Sequence, residues 1–240
     1  MQTQLGNIIN ILSEKYELPI NNAQTELFCK YYSLLIEYQE KNRINLTRII
    51  DPSDFALKNV IDTIILEKSL GEDVSKLIDL GTGNGIPGLF LAILNRDLNI
   101  TLVDSTKKKI DFVNYIINCL ELKNCVTVCD RIENLHKQKQ YYEVFDAAIG
   151  RALAALDHFI KLSVPLVKLG GSIISQKSHK YEEELKSAEK TIKLCKLKLV
   201  DISKYEIENN FRIVLKYKKM FENKNDIIYS KCNEKSKKIQ

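Results

Sequence analysis

Residues 77–93, LIDLGTGNGIPGLFLAI, contain a short glycine loop between two apolar stretches. Gly81, Gly83 and Gly85 alternate with single polar residues, and glycine permits both a tight turn and a close approach of the backbone to a ligand. The spacing is Gly-x-Gly-x-Gly, with Ile86 in the sixth place, whereas dinucleotide-binding loops have Gly-x-Gly-x-x-Gly. The loop therefore indicates a ligand-binding turn that differs from a dinucleotide site.

Asp104 is the acidic residue that would complete such a site. It ends the apolar stretch NITLVD, at the spacing of about 20 residues where a carboxylate accepts hydrogen bonds from ribose hydroxyls. The loop and the aspartate together suit a nucleoside without a bridging diphosphate, and S-adenosylmethionine is such a ligand. The alternatives are a glycine turn that only packs, and a nicotinamide or flavin site.

Strands and helices that could position these residues alternate from Lys76 onward. This alternation is typical of a parallel α/β sheet that is covered on both faces. The predicted strands are KLIDLG, NITLVDS, CVTVCD, VFDAAIGR and GGSIISQK, followed by an antiparallel hairpin of KLKLVDISKY and FRIVLKYKK. The predicted helices between them are 86–95, STKKKIDFVNYIINCL, 153–168 and 181–195. The first 70 residues are predicted to be helical, with helices opening after Asn21 or Asn22 and at Pro52.

The composition narrows the class of protein. The chain has 240 residues, of which 45% are apolar and 28% charged, and this suits a globular protein. No apolar stretch approaches the roughly 20 residues of a membrane span, and a signal peptide is not recognisable, so we expect a cytoplasmic protein. Six cysteines without a Cys-x-x-Cys pair and three histidines without metal-ligand spacing predict no metal site. The formal net charge of +5 permits a polyanionic partner.

Several stretches, taken in chain order, resemble one protein family. They are NRINLTRIIDPSDFALKNVIDTI, LIDLGTGNGIPGLFLAI, TLVDSTKKKIDFV, CDRIENL, FDAAIGRALAAL and SIISQKSHKYEEEL. The Gly-Thr-Gly-x-Gly-x-Pro-Gly loop with a downstream Arg-Ala and a lysine is the most specific combination. On these motifs the chain resembles the bacterial small-subunit rRNA guanine-N7 methyltransferases, also called glucose-inhibited division protein B, from about residue 20 to 220.

The resemblance implies an α/β, Rossmann-like S-adenosylmethionine-dependent methyltransferase fold, with a mostly parallel seven-stranded sheet and an N-terminal helical region. It implies methyl transfer from S-adenosylmethionine to N7 of a guanine in 16S rRNA, with S-adenosylhomocysteine as product. The partner would be 16S rRNA or the small ribosomal subunit, and a monomer is the default expectation. The expected domains are an N-terminal helical region, 1–70, a methyltransferase domain, 71–220, and a basic C-terminal tail, 221–240.

The resemblance also assigns roles to individual residues. Those expected to bind the cofactor are Gly81, Gly83 and Ile86 in the loop, Asp104 at the ribose, Ile132 and Glu133 near the adenine, and Arg151. Those expected to position the substrate are Arg131, Arg151 and Lys177. Those expected to bind RNA are Asn45, Arg48 and Lys177.

The chemistry is consistent with a site that has no general base. Guanine N7 carries a lone pair and no proton, so the protein must mainly align N7, the methyl group and sulfur. The three cations Arg131, Arg151 and Lys177 are expected to converge on the RNA at the carboxyl edge of the sheet. The alternative for each is an ion pair with Asp104, Asp130, Glu133 or Asp146. Methyl transfer to another acceptor, and a non-catalytic cofactor- or RNA-binding relative, are the alternative functions.

Some positions depart from the family pattern. A histidine common in the N-terminal helix is Asn59, the residue before Arg151 is Gly150, and an arginine before the last strand is Asn210. The tail keeps Tyr229 and lysines but lacks a Tyr-Pro-Arg-Lys stretch. We expect these changes to affect RNA docking and to leave the cofactor site intact.

Overall fold

The structure, a computed structural model, describes residues 2–151, 153–177, 181–208 and 210–221. Within these residues the strands are β1 (Lys76–Leu80), β2 (Asn99–Asp104), β3 (Cys125–Cys129), β4 (Phe145–Arg151), β5 (Val167–Lys177), β6 (Leu197–Ile207) and β7 (Asn210–Lys219). The helices are α1 (Gln2–Lys15), α2 (Asn22–Asn42), α3 (Pro52–Phe55), α4 (Asp62–Lys68), α5 (Gly88–Leu94), α6 (Lys107–Cys119), α7 (Ile132–Leu135), α8 (Leu156–Ser163) and α9 (Tyr181–Leu194), with a π-helical segment, Ala56–Ile61, between α3 and α4. No helix in this described part of the chain is long and apolar enough to cross a membrane.

The strands form one sheet in the order β3-β2-β1-β4-β5-β7-β6. Strands β1 to β5 are parallel, and β7 is antiparallel to both β5 and β6. This confirms the predicted Rossmann-like α/β fold with a mostly parallel seven-stranded sheet and a closing hairpin. The strand order reverses between β1 and β4, and α/β sheets bind ligands at the carboxyl ends of the strands at such a switch point.

Two helices differ from their predicted extents, and a third was not predicted. Helix α8 is shorter than the predicted 153–168, because Pro165 cannot continue a helix and β5 already begins at Val167. Helix α5 begins at Gly88 rather than at residue 86. The short helix α7 after β3 was not predicted, since its four residues are too few to show a helical period.

The N-terminal helices pack directly on the sheet. Helix α2 begins with a capping box, in which Asn21 and Gln24 each accept a backbone N–H of the other with their side chains. Its buried face carries Phe28 and Tyr31, whose ring centroids lie 4.7 and 4.9 Å from that of Phe90 in α5. These rings belong to a hydrophobic core shared with one face of the sheet.

Gly150 in β4 lies against the ring of Phe159 in α8. A Cβ atom at position 150 would come within 2.5 Å of Phe159 Cε2. The Phe159 side chain is in the core and 1% exposed, so it has little room to move away. Local packing therefore accounts for the glycine at this position.

We predict that Gly150→Ala lowers the free energy of unfolding by about 1–3 kcal/mol, because the Phe159 ring must shift in a close-packed core. Urea unfolding of the single and double variants measures this effect. In a double-mutant cycle, Phe159→Leu should remove most of the cost of the alanine. A cost that persists unchanged in the leucine background would contradict crowding against the ring.

Candidate active site

The glycine loop after β1 is shaped by its neighbours as well as by its own backbone. Gly81 has a φ of +70°, and a Cβ there would lie 2.4 Å from Leu153 Cδ1. Gly83 has a φ of +61°, but a Cβ there would meet only Gly81 O, at 3.9 Å. Both positions favour glycine by conformation, and Gly83 also leaves open space in front of the loop.

Asp79 holds the loop from below and was missed in the sequence analysis. Its Oδ2 atom accepts hydrogen bonds from Thr82 Oγ1 at 2.7 Å and from the Gly88 amide at 3.1 Å. Burial raises the pKa of the Asp79 carboxyl to about 6, although these hydrogen bonds act in the opposite direction. The available signal was a single acidic residue inside the apolar strand KLIDL.

Asp104, at the end of β2, lies beside the loop as predicted from the parallel strands. Its Oδ2 accepts a hydrogen bond from the Gly83 amide at 3.1 Å, and its Oδ1 accepts one from the Thr106 amide at 2.8 Å. Lys109 Nζ lies 3.5 Å from Oδ2. The carboxylate is thus fixed by backbone donors at the carboxyl edge of the sheet.

A cavity of about 330 Å³ opens in front of this loop. It is lined by Gly81, Asp104, Ser105, Thr106, Lys109, Asp130, Arg131, Ile132, Glu133, Leu153, Ala154, His158 and Leu162. Four of the residues predicted to bind the cofactor therefore line one cavity, namely Gly81, Asp104, Ile132 and Glu133. The Gly83 amide donates a hydrogen bond to Asp104, which lines the cavity. The Ile86 side chain is buried in the core.

A second cavity, of about 780 Å³, adjoins the first, and Ala154 lines both. It is lined by Ile49, Lys58, Asp62, Arg151, Ala154, Ala155, Gln176, Lys177, Glu184 and Arg212. The two cavities separate residues that were predicted to act together. Arg131 lines the first cavity, whereas Arg151 and Lys177 line the second, so the convergence of all three cations on the RNA stays a prediction.

Arg151, predicted both to bind the cofactor and to position the substrate, turns toward the N-terminal helices. Its Nη1 donates to the Lys58 carbonyl at 2.7 Å, and its Nη2 donates to Asn59 Oδ1 at 2.9 Å. Burial lowers the pKa of Arg151, and the nearby carboxylates of Asp62 and Asp79 oppose this change. Sequence spacing could not predict this orientation, because it depends on where the π-helical segment packs against β4.

Lys177 is also held firmly. Its Nζ lies 2.7 Å from Glu184 Oε2 and donates to the Ala154 carbonyl at 3.0 Å. Its side chain is 8% exposed. The ion-pair alternative therefore applies to Lys177, but with Glu184 rather than with any of the four anticipated carboxylates.

Asn45 and Arg48 are exposed in the segment between α2 and α3. Gln39 Oε1 orders this segment by accepting hydrogen bonds from the Leu46 and Thr47 amides at 2.6 and 2.7 Å. Ile49 of the same segment lines the second cavity. Asn45 and Arg48 thus lie at the surface in the segment that contributes Ile49 to that cavity, whereas Lys177, the third residue predicted to bind RNA, lines the cavity itself.

Other residues of the two cavities had no role in the sequence analysis. His158 lines the first cavity, and Asp62, Gln176 and Arg212 line the second. The described residues contain no group of three or more His, Cys, Asp or Glu side chains that could hold a metal ion. Asn210 has no described side chain, and nearly all of the predicted tail lies outside the described residues.

Comparison with known proteins establishes the family. Residues 24–212 match the family model described as rRNA small subunit methyltransferase G. The chain belongs to this family. It is 37% identical over 196 residues to the ribosomal RNA small subunit methyltransferase G of Desulforamulus reducens, with 81% of each chain covered. It is 37% identical over 205 residues to that of Clostridium botulinum strain 657, with 85% of this chain and 84% of the relative covered.

A solved structure supports the fold of this rRNA small subunit methyltransferase G family member. TYW2 of P. horikoshii in complex with MeSAdo matches with a TM-score of 0.51 and 13% sequence identity. The match covers 67% of this chain and 62% of the other. The family match, by contrast, includes every residue that lines the two cavities.

We predict a pH-dependent stabilisation by Asp79→Asn. Folding raises the pKa of Asp79 from 3.8 to about 6. Between these two pH values the carboxyl group is therefore protonated in the folded state and ionised in the unfolded state. The free energy of unfolding of the wild type therefore falls as pH rises through this range, and the full loss is present above about pH 6 to 7. Asparagine cannot ionise, so the variant should gain up to about 3 kcal/mol relative to wild type between about pH 4 and pH 8.

Urea unfolding of both proteins at the two pH values measures this difference. The other titrating groups are common to both proteins, so their contributions cancel. A constant difference between variant and wild type across the window would contradict the raised pKa.

Proposed function

We propose that the protein transfers a methyl group from S-adenosylmethionine to N7 of a guanine in 16S rRNA and releases S-adenosylhomocysteine. The observation that carries the proposal is the pair of cavities that meet at Ala154. One has the features of a nucleoside site, and the other is lined by cations that suit a guanine within an anionic RNA. A methyl donor in the first cavity and an acceptor in the second could meet in line where the two cavities adjoin.

The first cavity fits S-adenosylmethionine. The Asp104 oxygens already accept backbone hydrogen bonds, and a carboxylate oxygen can accept further ones from ribose hydroxyls. Gly81 and the open space at Gly83 would admit the methionine side of the cofactor. Ile132 offers an apolar surface for the adenine, and Glu133 an acceptor for its amino group. When bound, S-adenosylmethionine supplies a methyl group that its sulfonium already activates.

The second cavity would hold the guanine. Transfer needs no general base, because N7 carries a lone pair and no proton, and positioning alone can supply roughly 7–11 kcal/mol. A lysine ammonium has three N–H groups, and two of those on Lys177 are used by Glu184 and Ala154. The third can donate to guanine O6. Arg151 likewise keeps N–H groups beyond the two that Lys58 and Asn59 accept, so in this proposal it acts on the guanine side.

The surface residues would hold the RNA around that guanine. Arg131 is exposed at the first cavity, and Asn45 and Arg48 are exposed beside the second. Exposed arginines suit phosphate contacts, which fix the position of an RNA without reading its sequence. The guanine would then be unstacked from the folded RNA to enter the cavity. The small ribosomal subunit is the proposed partner of a monomeric, cytoplasmic enzyme.

The proposal predicts methyl transfer to small ribosomal subunits isolated from a strain that lacks this protein. With tritiated S-adenosylmethionine, label should appear in 7-methylguanosine after nucleoside analysis of the 16S rRNA. Label in another nucleoside or in protein would favour a different acceptor. Cofactor binding without any transfer would favour the non-catalytic alternative.

We predict that Lys177→Ala lowers kcat/KM for the subunit about tenfold to a hundredfold, because a charged hydrogen bond to the base is lost. Its affinity for S-adenosylmethionine, measured by calorimetry, should stay close to wild type.

Asp104→Ala is the matched contrast, since it removes the ribose acceptor and should raise the Kd of the cofactor about tenfold or more. Lys190→Ala, on the exposed face of α9, is the neutral control. Equal losses of cofactor affinity and methylation in Lys177→Ala would contradict a role on the RNA side.

A further inference from the structure

Asp62 is a buried carboxylate that lines the second cavity and has no role in the transfer chemistry described above. Its side chain is 3% exposed. Its Oδ2 accepts a hydrogen bond from Arg212 Nε at 3.0 Å, whereas Oδ1 has no hydrogen bond to any residue that the structure describes. Oδ1 is not fully enclosed by protein, so it can accept N–H groups from a ligand in the cavity, in place of water.

The charges around Asp62 favour its ionised form. Burial raises the pKa of the Asp62 carboxyl, and Arg212 and Arg151 act against this rise. The other charged residues that line this cavity are four cations, Lys58, Arg151, Lys177 and Arg212, and a second carboxylate, Glu184. The cavity is therefore mostly cationic, which suits an RNA, but it keeps a strong acceptor in its wall.

Glu184 is a poorer candidate for contact with a base. Its Oε2 already binds Lys177 Nζ at 2.7 Å and the Leu156 amide at 2.9 Å. Its side chain is 30% exposed, so water can satisfy the other oxygen. Glu184 thus positions Lys177, and Asp62 remains the acceptor that lacks a full set of donors.

The edges of guanine match this arrangement. Round the ring, O6 lies between N7 and the N1–H group, and N1–H is followed by the exocyclic N2 amino group. Suppose that N7 faces the first cavity, where the methyl donor binds, and that O6 faces Lys177. The N1–H and N2 amino groups then point into the second cavity, away from the first. Asp62 lines only this second cavity.

We propose that Asp62 accepts hydrogen bonds from N1–H and the N2 amino group of the target guanine and thereby selects guanine against adenine. This inference rests on the proposed function, because it requires guanine in the second cavity. Adenine has no N2 amino group, and its N1 is an acceptor, so the carboxylate would face a lone pair. Sites that hydrogen-bond a substrate strongly reject an analogue that leaves their buried polar groups unpaired.

Inosine provides the test, because it keeps N7, O6 and N1–H and lacks only the N2 amino group. Small subunits are reconstituted with 16S rRNA that carries either guanosine or inosine at the position that the wild-type enzyme methylates. For wild type we expect kcat/KM to be about tenfold higher with guanosine, the value of one charge-assisted hydrogen bond. For Asp62→Asn we expect a lower kcat/KM with guanosine and a guanosine-to-inosine preference that falls toward one.

Lys177→Ala is the control for the same two substrates. Its proposed contact is O6, which both bases carry, so both values of kcat/KM should fall while the preference stays as in wild type. Calorimetry with S-adenosylmethionine checks that Asp62→Asn is folded, and its cofactor affinity should match that of wild type.

Two results would overturn the inference. Asp62→Asn could lower kcat/KM equally for guanosine and inosine, which would give Asp62 only a structural role as the partner of Arg212. Wild type could fail to distinguish the two bases, which would exclude recognition of the N2 amino group even if the variant does not fold. Failure of the proposed function is separate, since wild type would then leave the guanosine subunit unmethylated.

Discussion

The guanidinium of Arg151 is the contact on which the second cavity depends. It extends from the end of β4 to the Lys58 carbonyl and Asn59 Oδ1, so it joins the sheet to the π-helical segment. A cation removed from water needs compensation, and the buried carboxylates of Asp62 and Asp79 provide it. This contact links the helices to the carboxyl edge of the sheet, where the cavity forms.

The same edge of the sheet is also fixed from the helical side. Tyr31 Oη of α2 donates to the Asn84 carbonyl in the glycine loop at 2.7 Å. Arg212 of β7 pairs with Asp62 at the start of α4. The helical region therefore supports the glycine loop and supplies one wall of the second cavity. This matters for a reaction whose catalysis consists of alignment, because the relative position of two ligands is set by the elements between them.

The sequence predicted the parts of the structure that follow from local pattern. Apolar runs identified the strands, and parallel strands bring their carboxyl ends together, so the proximity of the Gly83 amide and Asp104 could be expected. The orientation of long side chains could not. Arg151 and Lys177 end neighbouring strands, but the partners of Arg151, the Lys58 carbonyl and Asn59, are remote in sequence. Lys177 pairs with Glu184, which lies in the following helix. Spacing along the strands also does not show that Arg131 lines one cavity while the other two cations line the adjoining one.

The departures from the family pattern can be interpreted by their surroundings. Gly150 fits beneath Phe159, where a side chain would collide with the ring. Asn59 is 2% exposed and uses Oδ1 to bind Arg151, while its Nδ2 has no hydrogen-bond partner among the described residues. The Asn59 amide therefore holds Arg151 through its oxygen, while its buried Nδ2 without a partner lowers the stability of the fold. Asn59 contacts Arg151 directly, and Gly150 precedes Arg151 in β4. Both can therefore act through Arg151, which lines the second cavity.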